Sequence, residues 1–342
     1  MLFRNIHEAR AFIDERMPSL DANKKAIMRD VSRGDADMRV GKLREALGTD
    51  IFDAVTLDAS HNSLQKGYGT VPDHWREIAS VVSLSDFKSR NSTALSGLSN
   101  PLAVAQNQPY GEVPLIDEKV TYAPSKYGNI IRLSLEAMAN DEMGAFQTLV
   151  EKQGAAFKNG LNEYVLGTLF DDAPACDYDT VALFHSSHAN VQTSSALSLS
   201  TVESALKILA VQTGRKGEQI YAYPTKLAVH PALAITAANI LNSTSVVGGS
   251  SAGPVNNAIA GLNLGLLVSP HLNAVTAGTQ WYLLSNIPVV EVGFLNGRTE
   301  PEVFMEPENT GGAFNTDSIA WKFRLVYGGD AIDHRGAVRS TA

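Results

Sequence analysis

The sequence predicts an α+β fold built around one long helix, and three observations predict it. Residues 142–170 carry apolar side chains at spacings of three, four and seven, with no proline among them. That is the pattern of an amphipathic helix. The segments 131–135 and 321–327 alternate apolar and polar residues, the period of a strand with one covered face. Between strand-like segments, Asn91–Gly111 holds no Asp, Glu, Lys or Arg. So long a connection without structure of its own is rare inside a compact domain and is usually functional or disordered.

The chain has 342 residues, 44% apolar and 19% charged, a globular composition long enough for two or three domains. Residues 2–16 form an amphipathic helical pattern that Pro18 ends. Two further helical segments follow, 21–31 behind the cap Asp21 and 35–47 stopping near Gly48. Seven basic residues between Lys24 and Arg44 interleave with five acidic ones, Asp21, Asp30, Asp35, Asp37 and Glu45. They read as a solvated helical face, the alternative being a nucleic-acid patch. The first 60 residues are too poor in apolar side chains for their own core and read as an arm packing on something else. Trp75–Phe87 is strand-like; Val81–Lys88 leads out and Val120–Leu135 leads back, so 83–133 reads as a two-stranded excursion. Such a ribbon is marginal alone in water. Its lack of charge points to a surface on another protein.

The long helix starts from Asn140 or Asp141 as N-cap, with Glu142 at the positive end of the dipole. Phe146, Leu149, Val150, Phe157, Leu161, Tyr164, Val165 and Leu169 make its stripe. A turn-rich stretch, Asp171–Asp179, comes next. Residues 200–212 read as a helix capped by Ser200 or Thr201. Lys226–His230 is a short buried strand, and Pro231 suits the first position of a helix over 232–241. Gly248–Gly253 is a loop; Leu264–Ser269 and Trp281–Leu284 are short strands. From Leu227 to Val290 there is no Asp, Glu, Lys or Arg. Either neighbours cover that tract or Ser, Thr, Asn and Gln make its surface polar. Val289–Phe304 and Ile319–Val338 alternate, with Trp321, Phe323, Leu325 and Tyr327 on one face, around the turn cluster Asn309–Asn315.

Cys176 is the single cysteine, so no intrachain disulfide forms. There is no basic start with an apolar h-region and no apolar run of membrane-spanning length. A net charge of −8 argues against tight gripping of nucleic acid, which rests on cations, but not against enclosing it. The most enzyme-like cluster is Asp171-Asp172, Cys176-Asp177-Tyr178-Asp179 and His185-Ser186-Ser187-His188, whose residue types suit zinc but whose spacing is poor. No phosphate loop or dinucleotide fingerprint occurs. Neither a catalytic centre nor a cofactor is expected.

Taken together, Lys119-Val120-Thr121-Tyr122, Lys126-Tyr127-Gly128, Ile131-Arg132-Leu133-Ser134 and Glu136–Asp141 form an ordered series. It continues with Gly154-Ala155-Ala156, Leu183-Phe184-His185 with His188 and Asn190, and Asp333-His334-Arg335-Gly336. This series resembles the major capsid proteins of tailed bacteriophages, the Hong Kong 97-type fold. Within them it is most similar to the Mu-like major head subunit branch, including the version fused behind a prohead protease. The resemblance covers about 75–338 and is weak over 1–74. It implies an N-terminal arm over 1–74 and an E-loop over 83–133. A peripheral domain would comprise 75–82, 134–174 and 291–342 with a spine helix over 142–170, and an axial domain 175–290. The residues it marks for assembly are Lys119, Tyr122, Tyr127, Gly128, Arg132, Asn140, Asp141, Phe146, Phe157, Arg335 and Gly336.

The implied function is structural. Homo-hexamers and homo-pentamers would form an icosahedral shell around double-stranded DNA, without sequence-specific binding and without a membrane. The implied partners are the chain itself and portal, scaffold or decoration proteins. The implied location is the virion capsid, assembled in the host bacterial cytoplasm. No protease segment or coiled-coil scaffold is expected ahead of the arm. No isopeptide mesh is expected either, since the tip 91–111 has no lysine and Lys88 is the nearest. An encapsulin-like compartment shares the fold class, and a metal-dependent hydrolase using Asp177, His185 and His188 is the alternative from another class.

Overall fold

A computed structural model describes residues 49–95, 103–104, 106–107, 117–134, 143–172, 174–214, 217–243, 245–247, 254–272, 279–306, 316 and 318–341. The expected arm helices, the basic cluster from Lys24 to Arg44, the caps Asn140 and Asp141, and the loops 248–253 and 309–315 lie outside the described residues. The chain forms two compact units, residues 1–72, 126–159 and 299–325, and residues 73–125, 160–298 and 326–342. The long helix and the last long strand each contribute to both units.

In the first unit, helix α1 (Thr49–Thr70) packs against α2 (Met143–Asn162). Two glycines allow the approach. A Cβ on Gly67 would lie 1.9 Å from the carbonyl oxygen of Glu151, and one on Gly154 would lie 2.2 Å from that of Leu64. Leu64 and Val150 are fully buried. Lys66 pairs with Glu151 at 2.6 Å, and the Lys158 ammonium sits 3.8 Å above the ring of Tyr68. The apolar period over 49–70 is weak, because the covered side of α1, with Ser60, Leu64, Gly67 and Tyr68, mixes apolar with small residues. Strand β4 (Ser125–Ser134) and strand β12 (Glu302–Met305) both pair with β13 (Ser318–Ala331). Trp321, Phe323 and Leu325 of β13 are buried and Lys322 is exposed, as the alternation predicts.

The second unit contains two sheet regions. β1 (Ala79–Leu84) runs parallel to β11 (Val290–Leu295), and β11 pairs antiparallel with Tyr327–Ala331 of β13. A Cβ on Gly329 would lie 2.4 Å from the Glu291 carbonyl oxygen, so this crossing also demands glycine. The other sheet has the order β5 (Val191–Gln192), β14 (Ala337–Ser340), β10 (Trp281–Ser285), β6 (Pro224–Val229), β9 (Gly265–Val268). Strand β10 is buried along its whole length. Trp281 and Leu283 join Val202 and Leu209 of α3 (Leu199–Ala210) and Ala237 and Ile240 of α4 (Ala234–Asn242). Tyr282 instead meets Phe170 and Phe184, with ring centroids at 4.8 and 5.5 Å. Both faces of β10 are therefore covered, and apolar residues stand at adjacent positions.

Several expectations are corrected. The strand-like Trp75–Phe87 is a 3-10 turn, His74–Glu77, followed by β1. The outgoing strand does not pair with the returning one, since β1 pairs with β11. The returning segment is broken at Ala123-Pro124 into β3 (Asp117–Tyr122) and β4. Proline lacks the donor a continuous ladder needs. β3 pairs with β2 (Arg90–Leu95), from Arg90↔Tyr122 to Leu95↔Asp117, and this is the two-stranded ribbon. Helix α3 is capped by Ser198 in a capping box with Thr201, not by Ser200 or Thr201. Pro231 does open its helix, in a 3-10 turn before α4.

The long helix changes character after Asn162, where a π-helical run covers Glu163–Asp171. Its i→i+5 bonding alters which residues share a face. Leu166 and Phe170 are fully buried beside Val165 and Leu169, although a 3.6-residue stripe does not select them. In α2, Leu149 is 43% exposed while its neighbour Val150 is buried. Adjacent residues point about 100° apart on a helix, and Val150 occupies the covered side.

Candidate functional site

The base of the ribbon carries a buried polar arrangement that links separate strands. Glu291 lies in the run Val289-Val290-Glu291-Val292, whose other members are all apolar and buried. Its carboxylate is buried too and accepts three donors. Tyr122 OH donates to Oε1 at 2.6 Å, Arg90 Nε donates to Oε1 at 3.3 Å, and Ser92 Oγ donates to Oε2 at 3.0 Å. A buried carboxylate needs such partners to offset its lost hydration. Burial, then the bond to Glu291, raises the Tyr122 pKa well above its usual range. Lys119 stands on the same ribbon, exposed, opposite Thr93.

The other residues marked for assembly fall elsewhere. In the first unit, Tyr127 is half-buried and Gly128 sits where a Cβ would come within 2.4 Å of the Phe323 carbonyl oxygen. Arg132 donates to Ser318 Oγ at 3.2 Å and lies 3.7 Å from Glu306. Phe157 is buried on α2. Phe146 lies within α2, with its side chain outside the described residues. In the second unit, Arg335 is buried and donates to Thr213 O at 3.3 Å and to Asp333 Oδ1 at 3.2 Å. A Cβ on Gly336 would meet the Ile287 carbonyl oxygen at 2.4 Å. These positions form no single cluster.

Asp177, His185 and His188 do not converge. Asp177 accepts the Thr121 N–H at 2.8 Å. His185 is exposed and caps the 3-10 turn Ser186–His188, its Nδ1 accepting from Ser187 N at 3.1 Å. His188 turns inward instead. Its Nε2 lies 2.7 Å from Asp179 Oδ2, and its ring stacks on His334 at 3.9 Å with planes 10° apart. Tyr178 OH is 2.7 Å from His334 Nδ1. A cavity of about 290 Å³ adjoins the group, lined by Ile208, Gln212 and Arg335 among others. Burial, then the neighbouring His188 and Arg335, holds the His334 pKa down to about 3.

The donor atoms of Asp179, His188 and His334 lie within 4.8 Å of one another, but their geometry is that of hydrogen bonding. Two ligands about 2.1 Å from a tetrahedral zinc stand roughly 3.4 Å apart, wider than the 2.7 Å contact. Parallel rings also aim their lone pairs along parallel planes, away from a shared point. His188 Nδ1 faces Leu183 O at 3.1 Å, an atom that only accepts. The cluster ties the loop before β5 to the segment before β14.

Sequence reasoning missed Glu291, Arg90 and Ser92; it singled out Asp179 and His334, but in separate stretches and not as partners. For Glu291 a signal exists: a lone acid inside a fully apolar strand run needs buried partners.

The comparisons give one consistent result. The family profile described as phage capsid protein matches residues 117–340. No curated protein matches the chain. Among solved structures, one from Mycobacterium phage Adephagia is 14% identical, covering 79% of this chain and 90% of that one, with a TM-score of 0.53. One from Mycobacterium phage Bobi is 13% identical, with the same coverage and TM-score. The head structure of Helicobacter pylori bacteriophage KHP40 is 10% identical, covering 80% and 91%, with a TM-score of 0.50. At such identities the likeness is one of fold. Among the described residues, no helix is long and apolar enough to cross a membrane.

Proposed function

The chain belongs to the phage capsid protein family as a tailed-phage major capsid protein, and on that premise we propose that its copies assemble as hexamers and pentamers into an icosahedral shell around double-stranded DNA. The family match over 117–340 carries the reading. Within it, the β2–β3 ribbon takes the part of the E-loop, reaching over a neighbouring copy. The helix Met143–Asp171 takes the part of the spine, and the stretch 175–290 that of the axial domain.

Exposure in the second unit supports contacts between copies. Tyr221, Ile235, Val211 and Tyr223 are 92%, 78%, 69% and 60% exposed. An exposed apolar side chain supplies area that a neighbouring copy can bury. The tract Leu227–Val290 adds a surface without charge, and removing charge lowers the desolvation cost of docking. Many symmetric contacts, each weak, then close a container. The net charge of −8 suits a wall that encloses DNA without binding it tightly. Portal, scaffold or decoration proteins are its further partners, in the virion and during assembly in the host cytoplasm.

Negative-stain microscopy of the purified chain tests this. Shells, or five- and six-membered rings, are the expected result. Replacing residues 96–116 by a short glycine linker should leave a folded subunit that builds no shells. Normal shells from that variant would overturn the role assigned to the ribbon.

A further inference from the structure

Two carboxylates hold the base of the ribbon from different sides. Arg90 and Tyr122 are cross-strand partners, and Ser92 stands two residues along from Arg90. Side chains two apart on a strand, and side chains directly opposite across a pair, share one face. All three donors to Glu291 therefore come from one face of the ribbon. Asp177 acts on the strand edge, where its Oδ2 accepts the main-chain N–H of Thr121 at 2.8 Å. Thr121 stands between Val120 and Tyr122, and its hydroxyl donates across the ribbon to Asn91 Oδ1 at 3.1 Å. One face and one edge of the same ribbon are thus fixed to its own unit.

We propose that Glu291 and Asp177 are positioning residues for shell assembly. They set the direction in which the ribbon leaves its subunit, so that a second copy of this chain meets it in one orientation. The inference rests on the reading of the ribbon as an inter-subunit element. A two-stranded ribbon has too little packing to hold a direction by itself. Fixing it beforehand removes an ordering cost that each contact in the shell would otherwise carry. The bonds to Glu291 include one from a cation, and such charge-assisted bonds are the strong ones.

Hydrogen exchange on the full-length chain, read peptide by peptide, tests the clamp alongside shell yield. In Glu291→Gln and Asp177→Ala, amides of β2 and β3 should exchange roughly tenfold faster or more, the factor one charge-assisted bond commands. Amides of β6 and β10 should keep their wild-type rates. Asp177→Asn retains an acceptor oxygen for Thr121 and should restore slow exchange, and Tyr122→Phe, which leaves Glu291 with Arg90, guards against a folding defect. Shell yield should fall in step with ribbon exchange across the set. Ribbon amides at wild-type rates, equal acceleration in β6 and β10, or a loosened ribbon with full shell yield would each overturn the proposal. A wild-type chain that forms no shells would instead refute the shell reading, while the exchange data would still judge the clamp.

Discussion

Gly67→Ala and Gly69→Ala, two residues apart on α1, should change stability in opposite directions. A Cβ on Gly67 would stand 1.9 Å from the Glu151 carbonyl oxygen and 2.6 and 2.7 Å from its carbonyl carbon and Cα. All three are main-chain atoms of α2, which cannot swing aside as a side-chain tip can. To restore even a 3.0 Å contact, α1 and α2 must part by about 1 Å, loosening the packing around Leu64 and Val150. Overpacking of this kind costs about 1–3 kcal/mol and sometimes more. The helix-propensity gain of alanine over glycine returns about 1 kcal/mol at most. With a 1.9 Å contact placing the cost at the upper end, about 3 kcal/mol, the net expectation for Gly67→Ala is a loss of about 2 kcal/mol. A Cβ on Gly69 meets nothing within 4 Å, so that variant should gain about 0.5–1 kcal/mol. Urea unfolding of the unassembled chain, with the slope checked for constancy, measures both. Equal signs, or a Gly67→Ala variant within 0.5 kcal/mol of wild type by the same linear extrapolation, would refute the backbone-contact account.

Two further outcomes are expected. Because the His334 pKa is held near 3 in the fold, against about 6.5 unfolded, the unfolded chain binds a proton that the folded chain refuses. Stability is therefore unaffected by this group above pH 6.5 and falls as pH drops from 6.5 toward 3, by about 2 kcal/mol at pH 5. His334→Gln should flatten that slope in a pH series of urea midpoints, and parallel slopes for the two proteins would contradict the account. Trp281→Ala empties a fully buried site on β10 and removes a bond from Trp281 Nε1 to Ser195 O at 3.0 Å. A loss of about 3–5 kcal/mol is expected, and a loss below 1 kcal/mol by that same measure would show that β10 is not the centre of its core.

Some of this molecule is written in local periodicity. The 142–170 pattern specified a long helix, and the chain is helical from Met143 to Asp171. The alternation of Trp321, Phe323, Leu325 and Tyr327 specified a covered face, and all four are buried. The order of short blocks from Lys119 to Gly336 specified the capsid family that residues 117–340 match. Periodicity works here because each element records, residue by residue, which of its sides is covered.

It does not record what does the covering, and that was left to tertiary structure. The returning segment Val120–Leu135 reads as one strand, yet its two halves pair with β2 and β13. Helix α1 has only a weak stripe, because beside Leu64 and Tyr68 its covered side holds Ser60 and Gly67, and Gly67 meets α2 through main-chain atoms. His188 looked like a partner of His185 three residues away, but its ring meets Asp179 and, from the far end of the chain, His334. Glu291 finds its donors about 170 to 200 residues upstream, at Tyr122, Ser92 and Arg90. Hydrogen bonds and close backbone contacts depend on distances of a few tenths of an ångström between residues remote in sequence. Hydrophobic spacing within one element carries no term for such distances.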